Sequence, residues 1–165
     1  MAKTFFKKII VAVNGRQSSV HASMYAIMMA KTYNLSLKFV YVVDTATIKY
    51  LTMNKLLITD EKNDFEQRLY DDGKHYLEYV QGLAATKGVR AETELRRGGI
   101  FTEIIKAAEE YESDLILLGG KEKSLQHTSL KKSVLSRDEN EVLVNAKCPV
   151  MIVQKPDIEA EFKIF

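Results

Sequence analysis

Five short apolar runs rich in β-branched residues, separated by stretches with helical periodicity, constrain this chain more than any other feature. The runs are 7–14 (KKIIVAVN), 36–44 (SLKFVYVVD), Val89 to Leu95, 114–119 (DLILLG) and 149–154 (PVMIVQ). Strands that are apolar throughout are buried on both faces, which requires helices above and below a parallel sheet. The pattern predicts an α/β protein, a three-layer αβα sandwich built from βαβ units around a five-stranded parallel sheet. Between the first two runs Val20, Met24, Ile27, Met28 and Ala30 recur at three- and four-residue spacing, one stripe against the sheet. Ser18 or Ser19 is the expected cap of that helix.

The segment from Thr45 to Asp60 is less regular and reads as a loop with a short helix through Tyr50 to Leu57. A long helix follows from Glu61 to about Thr86. Phe65, Leu69, Tyr76, Leu77 and Val80 lie along one face of it, Gly73 and Gly82 weaken it, and Gly88 supplies a left-handed stop. A third helix, from Phe101 to Tyr111, turns Ile104, Ile105 and Ala108 inward. A fourth occupies part of 129–145, where the run Ser136-Arg137-Asp138-Glu139-Asn140 is wholly polar and reads as solvated.

A chain of 165 residues with 46% hydrophobic content holds one core and one domain. That domain is expected over 1–156, followed by a tail over 157–165; the end from about Lys155-Pro156 is the one piece expected to be disordered. Ile158, Phe162, Ile164 and Phe165 are apolar, so the tail has reason to pack on its own domain or on a partner subunit. Lys and Arg total 24 against 22 Asp and Glu, a net charge of +2, and no nucleic-acid partner is expected of so balanced a chain. The opening residues lack a continuous apolar stretch, and no run approaches the ~18 apolar residues that cross a bilayer. A cytoplasmic protein without membrane attachment is expected. Cys148 has no second cysteine to pair with, which fits a reducing compartment, and it reads as a small buried apolar residue.

Catalytic signatures are absent from the sequence. His21, His75 and His127 are too scattered for a metal motif, and no nucleophile elbow, phosphate-binding P-loop, C-x-x-C or dinucleotide-binding glycine fingerprint occurs. The pairs Asp71-Asp72 and Glu109-Glu110 fall on helices, where neighbouring positions point apart. An enzyme is not expected, and no cofactor is required.

In an open doubly wound sheet, ligands sit beyond the carboxyl ends of the strands, where strand order reverses. Those ends carry Val13-Asn14-Gly15-Arg16 after the first run, Val42-Val43-Asp44 after the second, and Leu118-Gly119-Gly120-Lys121 after the fourth. Glycine there permits close backbone approach to an anion, though it also serves ordinary turns.

The segments KKIIVAVNGRQSS, FVYVVD, ESDLILLGG and CPVMIVQ, in that order, resemble the universal stress protein family over about residues 5 to 156. The resemblance implies the adenine nucleotide alpha hydrolase-like sheet order 3-2-1-4-5, a cytoplasmic stress-response module, and a homodimer formed through strand 149–154. Protein clients are implied as partners. Some members bind adenine nucleotide, ATP or AMP, and others do not. The binding class carries Gly-x-x-Gly, a nine-residue spacer and Gly-Ser or Gly-Thr after the fourth strand. Here those positions hold Gly119, Glu122, Lys132 and Ser133. A carboxylate at Glu122 about 4 Å from a phosphate costs up to roughly 4 kcal/mol at an effective dielectric near 20. Lys121, Lys123, Lys131 and Lys132 crowd the same loop and keep some anion affinity in play. The family's Asp at the end of the first strand is Asn14, its usual Pro two positions earlier is Ala12, and Val42 matches the strand position whose backbone meets the adenine. The resemblance therefore implies a stress-response homodimer without tight ATP binding, or alternatively an adenine-nucleotide sensor using Ala12, Asn14, Val42, Gly119, Gly120, Glu122, Lys132 and Ser133.

Overall fold

The computed structural model of the protein describes residues 5–120 and 136–165. In chain order they form β1 (Lys8–Val13), α1 (Gln17–Tyr33), β2 (Ser36–Asp44), α2 (Thr45–Met53), α3 (Thr59–Thr86) and β3 (Ala91–Gly98). Then follow α4 (Ile100–Tyr111), β4 (Leu115–Gly119), α5 (Arg137–Asn145), β5 (Val150–Val153) and α6 (Ile158–Ile164). The five strands make one sheet in the order β3-β2-β1-β4-β5, and every pairing is parallel. The apolar runs thus lie side by side as the sequence implies. Among the described residues no helix is long and apolar enough to cross a membrane.

Two cores, one on each face of the sheet, explain why the central strands read as unbroken apolar runs. Ile9, Val11, Leu37, Phe39, Leu115 and Leu117 face α1 and α3, whereas Ile10, Val40, Ile116 and Leu118 face α4 and α5. Alternate residues of each strand therefore feed opposite cores. The edge strand β3 runs further than the apolar run alone indicates, through Arg96 and Arg97, because its pairing with β2 continues to Asp44↔Gly98. Arg96 is paired three times, with Glu110 at 2.8 Å, Glu103 at 2.9 Å and Glu94 at 3.1 Å. A charged edge of this kind discourages a further strand from adding there.

Helix α3 is 28 residues long, about 42 Å at 1.5 Å per residue, and outreaches the roughly 30 Å of the nine-residue β2. Its buried row is Gly73, Leu77, Val80 and Ala84, while Phe65, expected inward, lies in the overhanging first turns and is 37% exposed. Gly73 does more than weaken the helix: a Cβ there would stand 2.6 Å from the Tyr41 ring and 3.0 Å from Leu95, so its absence sets how closely α3 approaches β2 and β3.

Helix α2 begins at Thr45 rather than Tyr50, because Asp44 caps it, accepting from the Thr47 backbone N–H at 3.0 Å and the Thr47 hydroxyl at 2.6 Å. The polar run at 136–140 is the start of α5. Ser136 accepts from the Glu139 N–H at 3.2 Å and its own N–H donates to the Glu139 carboxylate at 3.0 Å. This reciprocal capping box has a sequence signature, Ser-x-x-Glu, that was open to reading. The tail is not disordered as expected but helical, and it packs on its own domain: α6 lies on α1, with Ile158 and Phe162 in the same core cluster as Val20 and Met24. His21, expected on the helix surface, pairs with Glu159 at 3.0 Å.

Candidate functional site

Where the strands diverge, the ladders end unevenly. Between β1 and β4 pairing stops at Val11↔Leu117, yet β1 stays with β2 to Val13↔Tyr41 and β4 stays with β5 to Gly119↔Val153. Strand order reverses at this point, and the two central strands part. Beyond Val13, β2 continues alone toward the gap, paired only with β3 as far as Asp44. The result is a cavity of about 270 Å³ at the carboxyl ends of the strands, the position that doubly wound sheets use for ligands.

Its walls are apolar and its rim is polar. Ala12, Val42, Leu118, Leu69, Ile100 and Ile104 line the interior, while Asn14, Arg16, Asp44, Asp138 and Glu139 stand around it. Apolar walls that suit a flat ring, with a few oriented polar groups, are the usual composition of a small-molecule site. The turn between β1 and α1 is built tightly. Asn14 Oδ1 accepts from the Arg16 N–H at 3.0 Å, and the Asn14 N–H donates to Ser19 Oγ at 3.2 Å. Ser19 Oγ donates in turn to the Arg16 carbonyl at 2.9 Å. Ser19 is therefore not the cap of α1; Arg16 occupies that position and Ser19 braces the turn from inside the first turn of helix. Gly15 sits at φ 80°, and a Cβ there would also meet the Tyr76 ring at 2.6 Å.

Of the eight residues expected at the site, Ala12, Asn14, Val42 and Gly119 line the cavity together. Gly120 is not among the lining residues. Its N–H donates to the Val153 carbonyl at 3.0 Å, and a side chain on it would meet that carbonyl and Gln154. Glu122, Lys132 and Ser133 lie outside the described residues, as do His127 and the lysines at 121, 123 and 131. Gly119 has a packing function that its spacing does not reveal: a Cβ would stand 2.5 Å from the Ser18 carbonyl carbon and 2.7 Å from its oxygen, so only glycine lets α1 lie so close to the end of β4.

The acidic side of the rim was not apparent from spacing. Asp44, Asp138 and Glu139 set three carboxylates against the single guanidinium of Arg16 among the described lining residues. Burial, then the Asp44 carboxylate, pushes the Asp138 carboxyl up, against the opposing pull of Arg137 and of the Phe101 N–H that Asp138 accepts. Since the folded carboxyl holds its proton more readily than the unfolded chain, stability from this group is present at low pH and lost as pH rises through its raised value. Asp138→Asn keeps an acceptor for Phe101 and is expected to melt higher than the parent near pH ~7, with the gap closing toward pH ~4 as the parent becomes protonated. Equal gaps at the two pH values would show that Asp138 feels neither burial nor Asp44.

The Ser136 hydroxyl is engaged in the cap, and no histidine or cysteine is among the described lining residues, so the described wall carries no nucleophile beside a base. Among the described residues there is also no group of three or more His, Cys, Asp or Glu able to hold a metal ion.

Comparison with known proteins agrees with the architecture. The family model described as the universal stress protein family matches residues 5–154. A universal stress protein of Methanocaldococcus jannaschii is 30% identical over 157 residues, covering 95% of this chain and 87% of its own. Among solved structures, a universal stress protein from Lactobacillus plantarum superposes with a TM-score of 0.71 at 21% identity, over 90% of this chain and 98% of its own. A family protein from Arabidopsis thaliana, solved with AMP bound, gives 0.60 at 17% identity, over 92% and 94% of the two chains.

Proposed function

The chain belongs to the universal stress protein family, and from that premise we propose that it is a homodimeric stress-response module that works through binding, without tight affinity for ATP. The observation that carries this reading is Gly119, whose missing Cβ makes room for the Ser18 backbone, so that close packing by itself accounts for the glycine. Two further features support it. Glu122 and Lys132 stand where nucleotide-binding members carry glycine, and the described rim has more carboxylates than cations. Calorimetry with MgATP is expected to give no saturation below the millimolar range; a dissociation constant in the low micromolar range would reject the proposal.

The second reading, an adenine-nucleotide sensor using the ends of the first, second and fourth strands, is favoured by one observation. Ala12, Asn14, Val42 and Gly119 line a single cavity with apolar walls, and the Arabidopsis relative was solved with AMP. Nucleotide released on heating the purified protein, seen by its absorbance near ~260 nm, supports this reading. A clean spectrum speaks for the first.

The homodimer is proposed through β5. Among the described residues this strand has β4 on one side and no strand on the other, and its Val150, Met151 and Ile152 are only half-buried. An apolar unpaired edge calls for a cover, and a second copy supplies one by symmetry. Ile152→Lys is expected to convert the dimer to monomer in light scattering. An unchanged dimer would place the contact elsewhere.

A further inference from the structure

The turn that closes β1 contains the pair Asn14-Gly15, and no other asparagine of the chain is followed by glycine. Asn34, Asn54, Asn63, Asn140 and Asn145 precede Leu, Lys, Asp, Glu and Ala. An asparagine amide is an electrophile at Cγ, and the main-chain nitrogen of the next residue stands where its attack closes a five-membered imide. A side chain on that next residue crowds the ring, and Gly15 has none.

The fold prepares this pair in three ways. Asn14 is exposed at the mouth of the cavity, so water can enter and ammonia can leave. Its Oδ1 accepts from the Arg16 N–H at 3.0 Å, which folds the side chain back along the main chain and closes a ring that holds both Cγ and the Gly15 nitrogen. That donor sits on the atom that takes negative charge when a nucleophile adds to Cγ, at the distance from which a backbone N–H stabilises an oxyanion. The Gly15 N–H itself makes no hydrogen bond among the described residues, so nothing there holds its proton. The Asn14 N–H is meanwhile fixed by Ser19 Oγ at 3.2 Å, and Ser19 Oγ by the Arg16 carbonyl at 2.9 Å, which brace the frame.

We propose that Asn14 is a site of self-modification, at which the Gly15 nitrogen attacks Asn14 Cγ and the asparagine passes through a cyclic imide to aspartate or isoaspartate. The bond that forms is Gly15 N to Cγ. The Cγ–Nδ2 bond breaks with its electron pair on nitrogen, which leaves as ammonia and takes up the proton that Gly15 gives to solvent. Water, the sole co-reactant, then opens the imide, and nothing is oxidised or reduced. Attack at Cγ breaks the new bond and leaves aspartate. Attack at the Asn14 carbonyl carbon breaks the original link to Gly15 and leaves isoaspartate, with the main chain running through the side-chain carbon. Aspartate keeps an acceptor for the Arg16 N–H and adds a carboxylate to a rim that already holds Asp44, Asp138 and Glu139. Isoaspartate lengthens a turn in which Gly15 takes φ 80° against the Tyr76 ring. The reaction is independent of which ligand the cavity takes.

The test holds the folded protein for days at mildly alkaline pH and then maps the tryptic peptide 9–16, in which Asn14 is the sole asparagine. Two products of equal mass are expected, aspartate and isoaspartate, forming at least about tenfold faster than any change at Asn34, Asn54, Asn63, Asn140 or Asn145. The rate is expected to equal or exceed that of the same chain held unfolded in urea, because the Arg16 N–H is on Oδ1 only in the fold. Asn14→Gln, whose longer side chain would have to close a six-membered ring, is expected to keep its amide over the same period. Aspartate without isoaspartate would mean direct hydrolysis rather than an imide. A rate in the folded protein below that of the unfolded chain would mean that the turn shields the amide, and loss of the Asn14→Gln amide at the parent's rate would mean that ring size is immaterial. Any of the three overturns the proposal.

Discussion

Gly119→Ala is expected to lower the unfolding free energy by about 3 kcal/mol, the upper part of the usual range for overpacking, because the added Cβ meets backbone. It would stand 2.5 Å from the Ser18 carbonyl carbon and 2.7 Å from both the Ser18 oxygen and the Ser19 nitrogen. Atoms of the first turn of α1 cannot step aside as the end of a flexible side chain does. For a domain of this size the melting temperature should fall by about 6–12 °C. Gly82→Ala is the matched control: nothing lies within 4 Å of its built Cβ, and removing glycine from a helix interior should stabilise by about 0.5–1 kcal/mol. If Gly119→Ala melts with the parent while weakening nucleotide binding, the glycine serves a phosphate and the packing argument fails.

Phe162→Ala is expected to cost about 3 kcal/mol or more, the range seen when a buried aromatic ring is removed. Phe162 is 6% exposed, shares a core cluster with Ile158, Val20 and Met24, and carries the Lys87 ammonium 4.7 Å from its ring centre. Ile164 lies on the same helix but is 87% exposed, and Ile164→Ala should change stability by less than about 0.5 kcal/mol. Guanidinium titration reads both. A Phe162→Ala protein with an unshifted midpoint would mean that α6 is a loosely attached end rather than part of the core.

Helix α6 also shows where reading from sequence stops. A seven-residue helix is too short to be stable by itself, so no periodicity could establish it. It forms where Ile158 and Phe162 find the α1 surface, and where Glu159 reaches Gln17 and His21, which hold its carboxyl below the usual carboxylate range. The capping box at Ser136 and Glu139 is legible as Ser-x-x-Glu, but a wholly polar run looks the same whether it is solvated loop or the first turn of a helix. Asp138 went unremarked as a site residue for the same reason: its place in the cavity depends on α5 standing over the end of β2, beside Asp44.

The candidate site divides along the same line. Asn14 and Val42 could be located from sequence because they sit at the ends of apolar strands, and a parallel sheet brings such ends together; Ala12 came from the family resemblance. Gly119 and Gly120 could be noticed but not interpreted, since glycine serves a turn, a phosphate or a close packing contact equally well until its neighbours are known.

From its sequence alone this chain determined the strands, the main helices and the end of the sheet at which a site is expected, because periodicity and β-branching act between residues close along the chain. Tertiary structure decided which atoms press on Gly119, which way the Asn14 amide turns and where the last helix docks. Those outcomes depend on the approach of segments far apart in sequence, or on competition for one backbone donor, and neither leaves a mark in the local pattern of residues.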